Sequence, residues 1–242
     1  MLEIEKFNKI VIANWKLNGS TSFLRDYLNN IEIKQSNLRD NCLIICPPTP
    51  YIKEINSSEF LKGAQDCSQF EEGAFTGEIN AKILKDIGCN FCIVGHSERR
   101  NFFTESNETI LKKITNCINN DLIPICCVGE SLEEKKQGLT KEVLKDQITK
   151  SLPKNIDLNK IIIAYEPLWS IGTGIIPKIE EIVSIHDYIK KSFFLENNTK
   201  IIYGGSVKSN NYKKIITLKE VDGLLVGGAS LNLDEFNKII EF

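Results

Sequence analysis

Eight times along this chain a short, nearly unbroken run of Val, Ile, Leu and Cys gives way to a turn and then to a more polar segment. The strand candidates are 10–13, 42–46, 61–65, 91–94, 123–128, 161–165, 201–203 and 223–226, the third of them, Leu-Lys-Gly-Ala-Gln, being the least apolar. A strand that alternates apolar and polar residues covers one face only, whereas a continuous apolar run indicates a strand covered on both faces, as in a parallel sheet. Between the runs, apolar residues recur at the spacing of one helical face: Phe23, Leu24, Tyr27, Leu28 and Ile31; Leu111, Ile114 and Ile118; Ile182, Val183, His186 and Ile189. Ser131-Leu-Glu-Glu134 has the form of a capping box and marks a helix start just after the fifth run.

Eight strand-helix repeats match the requirement of a closed α/β barrel, (β/α)8, whereas a doubly wound sheet more often uses fewer strands and leaves edges. No Gly-x-Gly-x-x-Gly follows the first strand, which argues against a dinucleotide-binding fold. No Pro/Gly/Ser-rich linker divides the 242 residues, so residues 1–242 read as a single barrel domain. With 30 basic against 32 acidic residues there is no global field to draw nucleic acid or an anionic membrane, and any anion must be bound locally. The N-terminal stretch lacks the apolar core of a secretory signal, and no segment approaches the length of a membrane span, so the expected location is cytoplasmic. The eight cysteines include one Cys-x-x-Cys, Cys89 to Cys92, but no second pair completes a metal site, and most lie in or beside apolar runs as small hydrophobes.

In such a barrel the reactive groups stand at the C-terminal ends of the strands. The polar residues there are Asn14 and Lys16 after the first run, His96 and Glu98 after the fourth, and Glu166 after the sixth. Gly204-Gly-Ser206 and Gly227-Gly228 follow the seventh and eighth, the two loops where barrels most often bind phosphate. Glu166 leaves a buried strand beside Pro167 and is placed as a general base. For Glu98 a salt bridge to a nearby cation is expected. Ile171-Gly-Thr-Gly174 lacks the Gly-Lys-Ser/Thr of a P-loop, and its glycines suit a mobile lid with Trp169 as apolar anchor.

Seven segments, in order, resemble the triosephosphate isomerase family: Ala13-Asn-Trp-Lys16, Gly73-Ala-Phe-Thr-Gly-Glu78, Val94-Gly-His-Ser-Glu-Arg-Arg100, Ala164-Tyr-Glu-Pro-Leu-Trp169, Ile171-Gly-Thr-Gly174, Tyr203-Gly-Gly-Ser-Val207 and Val226-Gly-Gly-Ala-Ser230. They run from near the first residue to near the last. The resemblance implies a TIM barrel that interconverts D-glyceraldehyde 3-phosphate and dihydroxyacetone phosphate, in glycolysis and gluconeogenesis, with no metal and no organic cofactor. It implies Glu166 as the base, His96 as a neutral electrophile, and Lys16 as a substrate-binding and charge-stabilising cation with Asn14 beside it. Gly172, Ser206, Gly227 and Gly228 are implied to hold the phosphate, with Glu98 in structural support. The segment from Gly73 to Glu78, with Thr76 near its tip, resembles the loop that reaches into a partner subunit, which implies a homodimer.

One departure is plain: Ile175-Ile176-Pro177 follows Gly174, where the family usually continues with a lysine and small residues. Proline fixes φ, so a stiffer trailing hinge is expected. Two other readings stay open at this point: a Schiff-base aldolase using Lys16, and a phosphosugar-binding barrel without catalysis. Cys127, at a strand end, is the thiol to watch for oxidation.

Overall fold

Along each strand, successive side chains point alternately into the barrel and out toward the helices, and both directions are apolar. Ile10, Ile12, Cys42, Ile44, Cys46, Phe91, Ile93, Ile125, Cys127, Ile162 and Ile202 fill the interior. The residues between them, among them Val11, Ala13, Leu43, Ile45, Cys92, Val94, Cys126 and Ile163, pack outward in a second, larger cluster with the helices. This double burial is why the sequence shows continuous apolar runs rather than alternation.

The chain is seen here as a computed structural model that describes residues 2–34, 40–56 and 59–241. The strands are β1 (Lys9–Asn14), β2 (Asn41–Cys46), β3 (Leu61–Ala64), β4 (Phe91–Val94), β5 (Ile123–Val128), β6 (Ile162–Tyr165), β7 (Lys200–Tyr203) and β8 (Gly223–Val226). All neighbours are parallel, and β1 pairs with β8 from Ile10↔Gly223 to Ala13↔Val226, closing an eight-stranded barrel with no free edge. The third strand ends at Ala64, one residue before its expected end, and Gln65 turns its side chain to the backbone of the first loop. No described helix is long and apolar enough to cross a membrane.

Outside the strands lie α1 (Thr21–Asn30), α2 (Ala81–Asp86), α3 (Ser97–Phe102), α4 (Asn107–Asn119), α5 (Leu132–Lys136), α6 (Thr140–Ser151), α7 (Ile179–Phe193), α8 (Tyr212–Ile216) and α9 (Leu233–Ile239). Side-chain caps start several of them: Ser20 accepts from the amide of Phe23, Ser106 from Thr109, and Ser131 from Glu134 in the expected capping box. On α4 the buried face is turned by about one residue from the expected stripe. Ile110, Ile114 and Cys117 are fully buried, together with the polar Lys113 and Asn116, while Leu111 and Ile118 are only half-buried. A pattern of hydrophobicity misplaces a face that hides a lysine and an asparagine.

Candidate active site

The C-terminal rim of the barrel opens into a pocket of about 340 Å³. Asn14 and Lys16 reach it from the end of β1, His96 from β4, Glu166 from β6, Ser206 from β7, and Gly227 and Gly228 from β8, with Gly172 contributed by the long loop after β6. The structure therefore brings these sequence-derived candidates together around one cavity. Glu98 stands behind the wall, bonded to Lys16, and Thr76 lies apart on the exposed loop after β3.

One helix start addresses two of these groups. The main-chain amides at the N-terminus of α3 have no partners inside the helix and carry its positive dipole end. His96 is the capping residue, and its Nδ1 accepts from the amide of Glu98 at 3.2 Å. The preceding amide, that of Ser97, donates to Oε2 of Glu166 at 3.2 Å. An imidazole whose Nδ1 is an acceptor carries its proton on Nε2 and is neutral. The carboxylate of Glu98 also lies 3.6 Å from Nδ1, but the amide already occupies that lone pair, so this approach is not an ion pair. His96 Nε2 faces the pocket, 3.4 Å from Oε1 of Glu166.

Glu166 is buried, and its Oε1 has no hydrogen-bond partner. A buried carboxylate oxygen left unpaired is costly, and here it points where a reacting group would sit. Room for this side chain comes from Gly204: a β-carbon there would lie 2.7 Å from Cγ of Glu166. Cys127, the thiol flagged for oxidation, packs against the same carboxylate from inside the barrel. Burial, with the nearby Glu166 charge, pushes its thiol well above the ordinary range, leaving it protonated and a poor nucleophile.

Lys16 has a left-handed backbone, with φ of 53°, which costs a non-glycine residue about 1–3 kcal/mol. The turn is held from both sides. The Asn14 side chain accepts from the Lys16 amide at 3.0 Å, and Gln65 Nε2 donates to the carbonyls of Lys16 and Cys46, each at 2.9 Å. The ammonium group meets Glu98 at 2.5 Å. A Schiff-base lysine needs a neutral amine in an apolar pocket or beside another cation, and a carboxylate partner works against that. Gln65 and Ser97 were not legible as site residues, since a single Gln or a backbone amide leaves no motif.

The loop after β6 is anchored at both ends and open at its tip. Trp169 donates to Oε1 of Glu130 at 2.8 Å, Tyr165 donates to the same carboxylate, and the Lys135 ammonium sits 3.8 Å from the centre of the Trp169 ring. Ser170 Oγ donates to the Ile175 carbonyl at 2.6 Å and accepts from the Ser206 amide at 3.1 Å, linking the loop to the Gly204–Ser206 segment. At the tip, Gly172, with φ of 70°, has nothing within 4 Å of where a β-carbon would be, and Gly172 to Ile176 are exposed. Pro177 is buried at the trailing end, where the Lys178 amide donates to Glu181. The other histidine, His186, lies fully buried on α7, outside the pocket, with Nδ1 3.1 Å from the Glu220 carbonyl.

Comparison with known proteins adds an independent finding. A family profile described as triosephosphate isomerase matches residues 9–242. The triosephosphate isomerase of Francisella tularensis subsp. holarctica (strain LVS) is 40% identical over 243 residues, 96% of either chain. That of Mesomycoplasma hyopneumoniae (strain 232) is 43% identical over 240 residues, covering 96% of this chain and 98% of the relative. The crystal structure of triosephosphate isomerase from Bartonella henselae superposes with a TM-score of 0.86 at 32% identity, covering 96% of this chain and 98% of the other. A profile match over nearly the full length, relatives of this identity and the same closed barrel have one explanation in common: the chain belongs to the triosephosphate isomerase family.

Proposed function

We propose that the pocket carries out the interconversion of D-glyceraldehyde 3-phosphate and dihydroxyacetone phosphate with Glu166, His96 and Lys16 as its reacting groups. Family membership supports the reaction. The observation that carries the residue assignment is the pair of amides at the start of α3, one on each of Glu166 and His96. Glu166 takes the proton from the carbon next to the substrate carbonyl, and the electron pair left behind forms an enediolate. Its charge develops on oxygen, so a donor must face that oxygen. The Nε2–H of neutral His96 donates there. The Lys16 ammonium, turning from Glu98, adds positive charge. Glu166 then returns the proton to the neighbouring carbon, and proton movement between the two oxygens through His96 completes the exchange of aldehyde and ketone.

The Ser97 amide occupies Oε2 of Glu166, so the unpartnered Oε1 is the oxygen that takes the proton. The phosphate of the substrate sits at the main-chain groups of Gly172, Ser206, Gly227 and Gly228, with Asn14 supporting the Lys16 turn. Closure of the loop over Gly172 excludes water while the enediolate exists. Incubating the purified protein with dihydroxyacetone phosphate in heavy water tests the chemistry. The account expects aldehyde product, with solvent deuterium at the carbon next to the aldehyde, which was the carbonyl carbon of the substrate and receives the returned proton. Product free of deuterium together with hydride-like transfer between the carbons would exclude the enediolate.

The chain acts as a homodimer, with the loop around Thr76 as its contact. Leu17 is 96% exposed next to the strained Lys16, and Phe70 and Phe75 stack face to face at 3.7 Å on the loop after β3, each about 40% exposed. Exposed apolar side chains gain from being covered. The expected location, in the cytoplasm, follows from the chemistry of a central metabolic enzyme.

A further inference from the structure

Three of the eight cysteines come from distant parts of the sequence and meet at one point. Cys67 lies just after β3, Cys92 is the second residue of β4, and Cys117 is near the end of α4. Their sulfurs all lie within 4.8 Å of one another, and Cys67 and Cys117 are 3.5 Å apart. All three are buried as free thiols in the layer between strands and helices. The Cys-x-x-Cys motif does not form the cluster: Cys92 faces Cys67 and Cys117, while Cys89 stands outside it.

The chemistry of this trio narrows what it could hold. Among the described residues no fourth His, Cys, Asp or Glu joins the group. The nearest carboxylates, Asp66 and Glu105, are taken up by Lys113 and Arg99 at 2.5–2.8 Å. Four-coordinate zinc is therefore short of a ligand, and a divalent ion on three thiolates would leave net charge in a buried site. A trivalent centre that takes three sulfurs and keeps a lone pair needs no fourth ligand and is neutral once bound. Soft thiolates favour such thiophilic ions over hard ones.

We propose that Cys67, Cys92 and Cys117 form a three-thiol site for trivalent arsenic, taken up as arsenous acid. The step is a ligand exchange without redox change. Three S–H and three As–O bonds break, three As–S bonds form, and the three hydroxyls leave as three waters. Cys67 makes the first attack, since it is the least buried of the three. Cys92 and Cys117, fully buried behind it, follow as the hydroxyls depart with their protons. The bound centre ties the loop after β3 to β4 and α4, and it stabilises the fold as far as the assembled trio holds arsenic more tightly than the cysteines of the unfolded chain do.

Intact-mass measurement under native conditions, with arsenite as the probe, reads this directly. The expected adduct gains one arsenic and loses three hydrogens, is reversed by a small dithiol, and raises the thermal midpoint. Cys67→Ala should lose it, or keep only a two-sulfur adduct that retains a hydroxyl, while Cys42→Ala, inside the barrel, should bind as the parent does. Because the site is buried, the same measurement is repeated on protein refolded from denaturant with arsenite present. Absence of the three-sulfur adduct in both preparations overturns the proposal. So does the same adduct in Cys67→Ala, Cys92→Ala and Cys117→Ala alike, which would place arsenic on other cysteines.

Discussion

Glu166, the proposed base, is fitted by a glycine and held by one amide, and both can be tested. In Gly204→Ala the new methyl would meet Cγ of Glu166 at 2.7 Å and displace the carboxylate. A shift of about 1 Å in a reacting group costs roughly 10²-fold. Steady-state kinetics should therefore show kcat reduced by about that factor, with binding of a phosphate-bearing inhibitor nearly unchanged; an unaltered kcat would mean that the carboxylate is not confined as described. Gln65→Ala removes both bonds that brace the Lys16 turn and should raise KM more than it lowers kcat. Of these residues, Glu166, His96 and Lys16 were legible because each follows an apolar run, where a charged or ionisable group needs a reason. Gln65 and Ser97 were not: one acts through carbonyls brought near by folding, the other through its amide, and no side-chain pattern records either.

The loop after β6 behaves as an element with a fixed base and a free tip. The Lys135 ammonium lies over the Trp169 ring and also meets Glu181, at 3.1 Å, so one side chain contacts the leading anchor and the first turn of α7 beyond the trailing one. Lys135→Met should loosen both, and relaxation dispersion on the tip residues would then report faster exchange between open and closed loop. Identical exchange in parent and variant would assign the motion to other contacts. Of Ile175-Ile176-Pro177, the segment expected to depart from the family's usual pattern, Pro177 is buried against this base rather than at the exposed tip. If it stiffens the hinge, Pro177→Ala should speed opening; unchanged opening rates would make the departure neutral. The strands and this loop were readable from apolar runs and paired glycines. The exact buried face of α4 was not, because Lys113 and Asn116 are hidden by partners outside the helix: Asp66 and Glu105 for the lysine, and the Ser68 carbonyl for the asparagine.

For the molecule as a whole, stability carries the mark of His186. Burial lowers its pKa to about 4, whereas an unfolded imidazole takes up its proton near about 6.5. Between those values the unfolded chain binds more protons than the folded one, so stability falls as pH drops from about 6.5 to about 4, and this contribution changes no further below. The loss of thermal midpoint between about pH 7 and about pH 4.5 should be smaller in His186→Gln than in the parent; an equal loss would exclude this residue as the cause. Sedimentation should give about twice the chain mass if the loop around Thr76 joins two copies, and a stable, fully active monomer would contradict that. The eightfold repeat made the barrel legible, but nothing in composition or periodicity announces the exposed Leu17, Phe70 and Phe75, which look like core residues until the fold leaves them outside. The central claim is that Glu166 is the base of an isomerase, and the most direct measurement compares parent and Glu166→Gln for conversion of glyceraldehyde 3-phosphate to dihydroxyacetone phosphate, with inhibitor binding checked in both. A general base contributes about 10²- to 10⁴-fold, so the account predicts fast turnover in the parent and a loss of that order in a variant that still binds. Turnover retained in Glu166→Gln, or a parent that binds tightly and converts nothing, would contradict it.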